Sequence, residues 1–248
     1  MKQTLVFAAA CAALIASPPT WAEDEMHFGY SGQNGPEHWA SLNPEWSACG
    51  TGMSQSPVDI AVAVDEDLPE LSFNYQEGSK DFVNNGHAVQ VNYADGSTLR
   101  IGEGSTFELR QLHFHAPSEH RREGQNLPAE IHLVHANAEG RLVVVALLVE
   151  EKYAANPAIA TLWSQLPPLE GVSNAIPGVN AADLLPSDRS YFAYSGSLTT
   201  PPCTEGVQWI VMKQPVSLSM NQLAALECAI GLANNRPVQA LNGRIIAD

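Results

Sequence analysis

Basic residues are scarce in this 248-residue chain: 12 Lys and Arg stand against 27 Asp and Glu, a formal charge of −15 at pH 7. A surface of that sign repels phosphate backbones and anionic lipid, which argues against nucleic acid or a membrane surface as partner. Long hydrophobic runs are missing too. The apolar stretch from Leu5 to Ile15 is too short to span a bilayer, and nothing later approaches ~20 uninterrupted apolar residues. Internal repeats, low-complexity tracts and linkers do not occur, so nothing divides the chain into several units. Helical periodicity is sparse. There is no His-Glu-x-x-His, which disfavours a zinc peptidase. Only four cysteines occur.

Residues 1–22 carry Lys2, the apolar run and Pro18-Pro19-Thr20-Trp21-Ala22 before an acidic stretch. That order reads as a secretory signal peptide, leaving residues 23–248 as one domain large enough to bury a core. Removal of the leader takes Cys11 with it. Cys49, Cys203 and Cys228 remain, and an oxidising compartment favours pairing two of them, with three pairings open.

Short β-like runs dominate what is present: Leu71 to Tyr75, Ala88 to Tyr93, Ser97 to Ile101, Thr106 to His115, Glu130 to Asn137, Leu142 to Glu150, Tyr191 to Ser197 and Gln208 to Met212. The continuous apolar run from Leu142 to Val149 predicts a central strand buried on both faces. Helices are expected at Pro157 to Gln165 and Met220 to Leu232, the second introduced by Ser219-x-x-Gln222, a capping-box pattern. Within that helix Cys228 is expected to be a small buried hydrophobe. Composition and pattern alone give a sheet-rich single domain.

The chemistry concentrates between Arg110 and His135. His113 and His115 are two apart, so a strand points both imidazoles out of one face. His132 lies in a second strand-like run. The interval between holds Arg121, Arg122, Glu123, Gly124, Gln125, Asn126 and Pro128, which lets the two runs return as antiparallel neighbours. Three imidazoles then converge. That donor set suits a catalytic zinc, which keeps a fourth position open, whereas structural zinc is usually closed by four ligands. The same parity puts Gln111 on the face of His113 and His115, and Glu130 on that of His132, where each can accept a spare ring N–H.

Gln111-Leu-His-Phe-His, Ser118-Glu-His, Ala129-Glu-Ile-His-Leu-Val-His and Ser197-Leu-Thr-Thr-Pro-Pro resemble the signature stretches of the α-class carbonic anhydrases, in particular exported bacterial members. Gly35-Pro-Glu-His-Trp, Gln55-Ser-Pro-Val-Asp-Ile, Asn84-Asn-Gly-His and Asn235-Arg-Pro-Val-Gln extend the likeness from about Tyr30 to Arg244, in order. The resemblance implies a β-dominated α+β domain: a central twisted, mostly antiparallel sheet of about ten strands with short peripheral helices. It implies a Zn²⁺ enzyme, periplasmic or secreted, interconverting carbon dioxide and bicarbonate, and leaves room for a homodimer. It also implies the pairing Cys49–Cys203, a bridge that would clamp the loop carrying Thr199.

Residue by residue, the resemblance makes Thr199 the group whose hydroxyl accepts from zinc hydroxide and donates to Glu119. His87 becomes the proton carrier, with Tyr30 and Asn85 ordering the waters between. Val134, two after His132, faces the same way as that ligand. With Val144, Leu198, Val207 and Trp209 it forms an apolar wall for carbon dioxide. The Thr199 N–H and Thr200 position substrate and product. His27, His38, His120 and His135 are assigned no metal. Leu112 departs from the commoner aromatic but faces away from the ligands. Two rivals share the same histidines: a zinc-binding module without turnover, and an ester hydrolase.

Overall fold

Alternating apolar positions become strands in the computed structural model, which describes residues 27–176 and 179–248. The leader read at residues 1–22 lies outside the described residues. In chain order the strands are β1 (Asp59–Ile60), β2 (Leu71–Asn74), β3 (Ser79–Asn84), β4 (Val89–Tyr93), β5 (Thr98–Ile101), β6 (Thr106–His115) and β7 (Arg121–Arg122). There follow β8 (Gln125–Asn126), β9 (Ala129–Ala136), β10 (Leu142–Glu151), β11 (Ser173–Asn174), β12 (Tyr191–Ser197), β13 (Glu205–Met212) and β14 (Val216–Leu218). Eleven of them make one sheet whose main path runs β11, β3, β4, β6, β9, β10, β13, β12. Pairing in it is antiparallel except where β10 meets β13 and β14. The sheet-dominated single domain with few short helices is as expected.

β10 explains its own unbroken apolar sequence. Val143, Val145, Leu147 and Val149 enter one core cluster, while Val144, Ala146 and Leu148 enter another on the opposite face. α1 (Trp39–Leu42) and α2 (Ala48–Thr51) are single-turn helices; the first cluster is closed by α3 (Pro157–Trp163), through Ile159 and Leu162, and by α4 (Met220–Ile230), through Leu223, Leu226 and Ala229. Ser219 caps α4 with the reciprocal Gln222 bonds its sequence predicts. The helix stops two residues short of the expected Leu232 because Gly231 takes a positive φ of 82° at its end. Cys228 is exposed on α4, which corrects the expectation of burial. Leu223 and Leu226 take the inward face of that helix, so position 228 turns outward. β3 escaped the sequence reading because Lys80, Asp81 and Asn84 interrupt its apolar residues.

One irregularity positions the site. Between β6 and β9 the register shifts between Leu109 and Gln111, leaving Arg110 as a surplus residue. Before it the odd-numbered Phe107 and Leu109 point into the first core; after it the even-numbered Leu112 and Phe114 do. Gln111, His113 and His115 are thereby turned to the other face.

Candidate metal centre

Across β6 and β9, His113 stands directly opposite His132, and His115 opposite Glu130. The three imidazoles of His113, His115 and His132 meet with ring centroids 5.0, 5.1 and 4.6 Å apart. One ring nitrogen of each is held by an acceptor. Gln111 Oε1 takes His113 Nδ1 at 2.8 Å, the Asn234 carbonyl takes His115 Nδ1 at 2.8 Å, and Glu130 Oε1 takes His132 Nε2 at 2.8 Å. Carbonyl and carboxylate oxygens only accept, so these nitrogens carry the hydrogens. Lone pairs are left on His113 Nε2, His115 Nε2 and His132 Nδ1, and the donor atoms of the trio lie within 4.8 Å of one another.

Electrostatics keep the His113 and His115 rings neutral. Burial, reinforced by the neighbouring imidazoles, pushes the His113 pKa well below its ordinary value, and burial lowers that of His115. His115 Nε2 is buried and has no hydrogen-bond partner. A neutral buried nitrogen aimed at two others is what a soft-to-borderline divalent cation fits, and the all-imidazole set matches zinc.

Glu130 is the hub beneath the ligands. Its Oε1 accepts from His132 and, at 2.6 Å, from His120 Nδ1; its Oε2 accepts from the backbone N–H groups of Glu119 and His120, each at 2.8 Å. Burial alone would raise its pKa, yet the imidazoles of His120 and His132 hold it well below the usual carboxylate range. His120, Glu130 and His132 also cluster tightly. However, His120 already has Glu130 on one nitrogen and the Tyr194 hydroxyl on the other, at 2.6 Å, so both of its ring nitrogens are engaged. His135 likewise faces the opposite core, between the Tyr75 hydroxyl and the Val143 carbonyl.

Glu119 is fully buried. Its Oε1 accepts from the Arg236 backbone N–H at 2.8 Å. Its Oε2 takes no hydrogen bond and lies 3.6 Å from His115 Nε2 and 3.9 Å from His132 Nδ1. The Thr199-to-Glu119 bond implied by the resemblance is therefore not formed: the free oxygen leans toward the two unshielded ring nitrogens instead. Thr199 itself is buried in the loop between β12 and β13. That loop is pinned by the Cys49–Cys203 disulfide, which has the expected pairing, and by Trp209 Nε1 donating to the Ser197 carbonyl at 3.0 Å. Val134, Val144, Leu198, Val207 and Trp209 gather in one apolar cluster with the site-facing residues of β10.

His87 sits in the turn before β4, where Asn85 Oδ1 accepts from the N–H groups of His87 and Ala88. A cavity of about 490 Å³ opens beside it, lined by Phe28, Tyr30, Glu170 and Asn234 among others. Burial and the charge of Glu119 raise the Tyr30 pKa, so its phenol stays protonated. Two participants escaped the sequence reading. Asn234 holds His115, and Arg236 is buried with its guanidinium bonded to Gln55 Oε1 and to the carbonyls of Ser56 and Cys49. The motif at Asn235-Arg236 was their one visible trace.

Comparison with known proteins points to one family. The sequence model of the eukaryotic-type carbonic anhydrase family matches residues 34–248. A carbonic anhydrase of Pectobacterium carotovorum is 44% identical over 226 residues, covering 91% of this chain and 92% of that protein. One from Neisseria gonorrhoeae is 38% identical over 247 residues, covering 100% and 96%. The α-carbonic anhydrase of Thermovibrio ammonificans, solved with the inhibitor sulfanilamide, superposes with a TM-score of 0.88 at 42% identity, covering 90% of this chain and 99% of that one. With its imidazole trio shared between a bulged strand and its neighbour in a large mixed sheet, and with this likeness along nearly its whole length, the chain belongs to the eukaryotic-type, or α-class, carbonic anhydrase family.

Proposed function

We propose that this chain is an exported zinc enzyme catalysing the reversible hydration of carbon dioxide to bicarbonate and a proton. The observation that carries the reading is the set of three lone pairs, on His113 Nε2, His115 Nε2 and His132 Nδ1, each fixed by an acceptor on its other ring nitrogen. These atoms would hold the ion. When bound, zinc acidifies water to near neutral pH and so supplies the nucleophile.

The remaining steps fall to the chain's own groups. Glu119 Oε2 carries no hydrogen bond and, once turned from the His115 and His132 nitrogens that a bound ion would occupy, would accept from the Thr199 hydroxyl, whose lone pair would then aim the attacking water. Val134, Val144, Leu198, Val207 and Trp209 exclude competing water and offer carbon dioxide an apolar wall. The Thr199 N–H and Thr200 orient substrate and product. His87 carries the proton toward solvent, with Tyr30 and Asn85 ordering its path. The Cys49–Cys203 disulfide supports an oxidising compartment, and with the leader read at residues 1–22 favours a periplasmic or secreted enzyme.

The test is stopped-flow hydration of carbon dioxide on chelated and zinc-reloaded protein, with His132→Ala beside it. Hydration that vanishes on chelation, returns with zinc and falls to sulfonamide is expected. Zinc retention without hydration would replace the reading with a storage module, and ester cleavage outpacing hydration would replace it with a hydrolase.

A further inference from the structure

The ladder between β4 and β6 ends early. It pairs Asn92 with Gln111, Val91 with Leu112 and Gln90 with His113, and there stops. Continued, the register would bring Ala88 opposite His115 and His87 opposite Ala116. The strands part instead, and the side chain of Asn234, 1% exposed, fills the gap. Its Oδ1 accepts from the Ala116 N–H at 2.9 Å; its Nδ2 donates to the carbonyls of Phe114 and His87, each at 3.0 Å. Both amide hydrogens are used, and the partners, one N–H and two carbonyls, fix which end is oxygen. The backbone carbonyl of the same residue holds His115 Nδ1.

We infer that the Asn234 side chain is a positioning residue, a molecular rivet that fixes the turn carrying His87 against the strand end carrying His115. The inference rests on the reading of His87 as proton carrier for its catalytic consequence, though not for its structural one. A primary amide suits the task because it replaces a ladder rung with one acceptor and two donors, serving two segments at once. No aliphatic residue of that size could donate to the Phe114 and His87 carbonyls.

Asn234→Ala tests it, with Asn234→Asp as the partial case that keeps the acceptor for Ala116 and loses both donors. In metal-free protein, amide hydrogen exchange at residues 86–88 should quicken by about tenfold while β10 stays protected. In zinc-loaded protein, kcat in weak buffer should drop by about tenfold, more than kcat/KM, and imidazole should restore it. His87→Ala combined with Asn234→Ala should be no slower than His87→Ala alone. Exchange rising equally across the sheet, or kcat and kcat/KM falling together beyond rescue by imidazole, would overturn the inference. If His87→Ala itself shows no rescuable loss, the shuttle reading fails, and local exchange at the turn still decides whether Asn234 holds it. Should the alanine variant not fold, Asn234→Ser, which keeps a donor, gives the same exchange readout.

Discussion

Phe28 lies flat on the imidazole of His87, with ring centroids 3.8 Å apart and planes 11° from parallel. The contact takes water from one face of the ring. Burial holds the His87 pKa below its ordinary value, against the opposing charge of Glu170.

Phe28→Ala should therefore raise the His87 pKa toward that of a free histidine, since the uncovered ring regains hydration for its charged form while Glu170 stays. An NMR titration of the ring protons measures the midpoint. A midpoint that stays put or moves down would show that something other than the stack sets it.

Gln111 Oε1 fixes the His113 tautomer. Gln111→Leu keeps the side-chain bulk and removes the acceptor, so zinc affinity should weaken by about 10–100-fold. Competition with a chromogenic chelator gives the number, and an affinity equal to wild type would refute the assignment.

The Cys49–Cys203 bridge joins residues 154 apart in sequence. Loop closure of that length should contribute about 5 kcal/mol, less any native strain. Denaturant unfolding of Cys203→Ser against the oxidised parent tests it. A difference under about 1 kcal/mol would mean that the buried Arg236 and its carbonyl bonds hold the corner alone.

His135 is buried between Tyr75 and Val143, and burial lowers its pKa to about 4. The folded form is depressed relative to the unfolded one. Its contribution is thus fully present above about pH 6.5 and lost as pH falls toward 4, by about 3 kcal/mol in all. His135→Gln, which can still bond both neighbours, should flatten the stability profile in that window. Parallel slopes for variant and parent between pH 6.5 and 4 would contradict it.

Much of this was legible in the chain itself. Period-two spacing announced His113 and His115 on one face, and the unbroken run in β10 announced burial on two. Ser219 and Gln222 announced the cap of α4. Other features are long-range and leave no local periodicity. Asn234 reaches His115 from 119 positions away, and Arg236 reaches Gln55 from 181. Cys228 was misread because a helix pattern without its phase does not say which face turns inward. The unmade Thr199 bond was a borrowed expectation, and the free Glu119 oxygen settles toward the ligand nitrogens instead.

The surplus residue at Arg110 gives the metal chemistry an arithmetic dependence. Drawing Arg110 into a regular ladder, with no residue left over, would change no ligand, yet it would send the two imidazoles of β6 into the packed interior and drop Leu112 and Phe114 into the catalytic bowl. The strand can thus lose a residue at the bulge and keep its histidines facing the site, whereas losing the bulge with every residue kept turns them away.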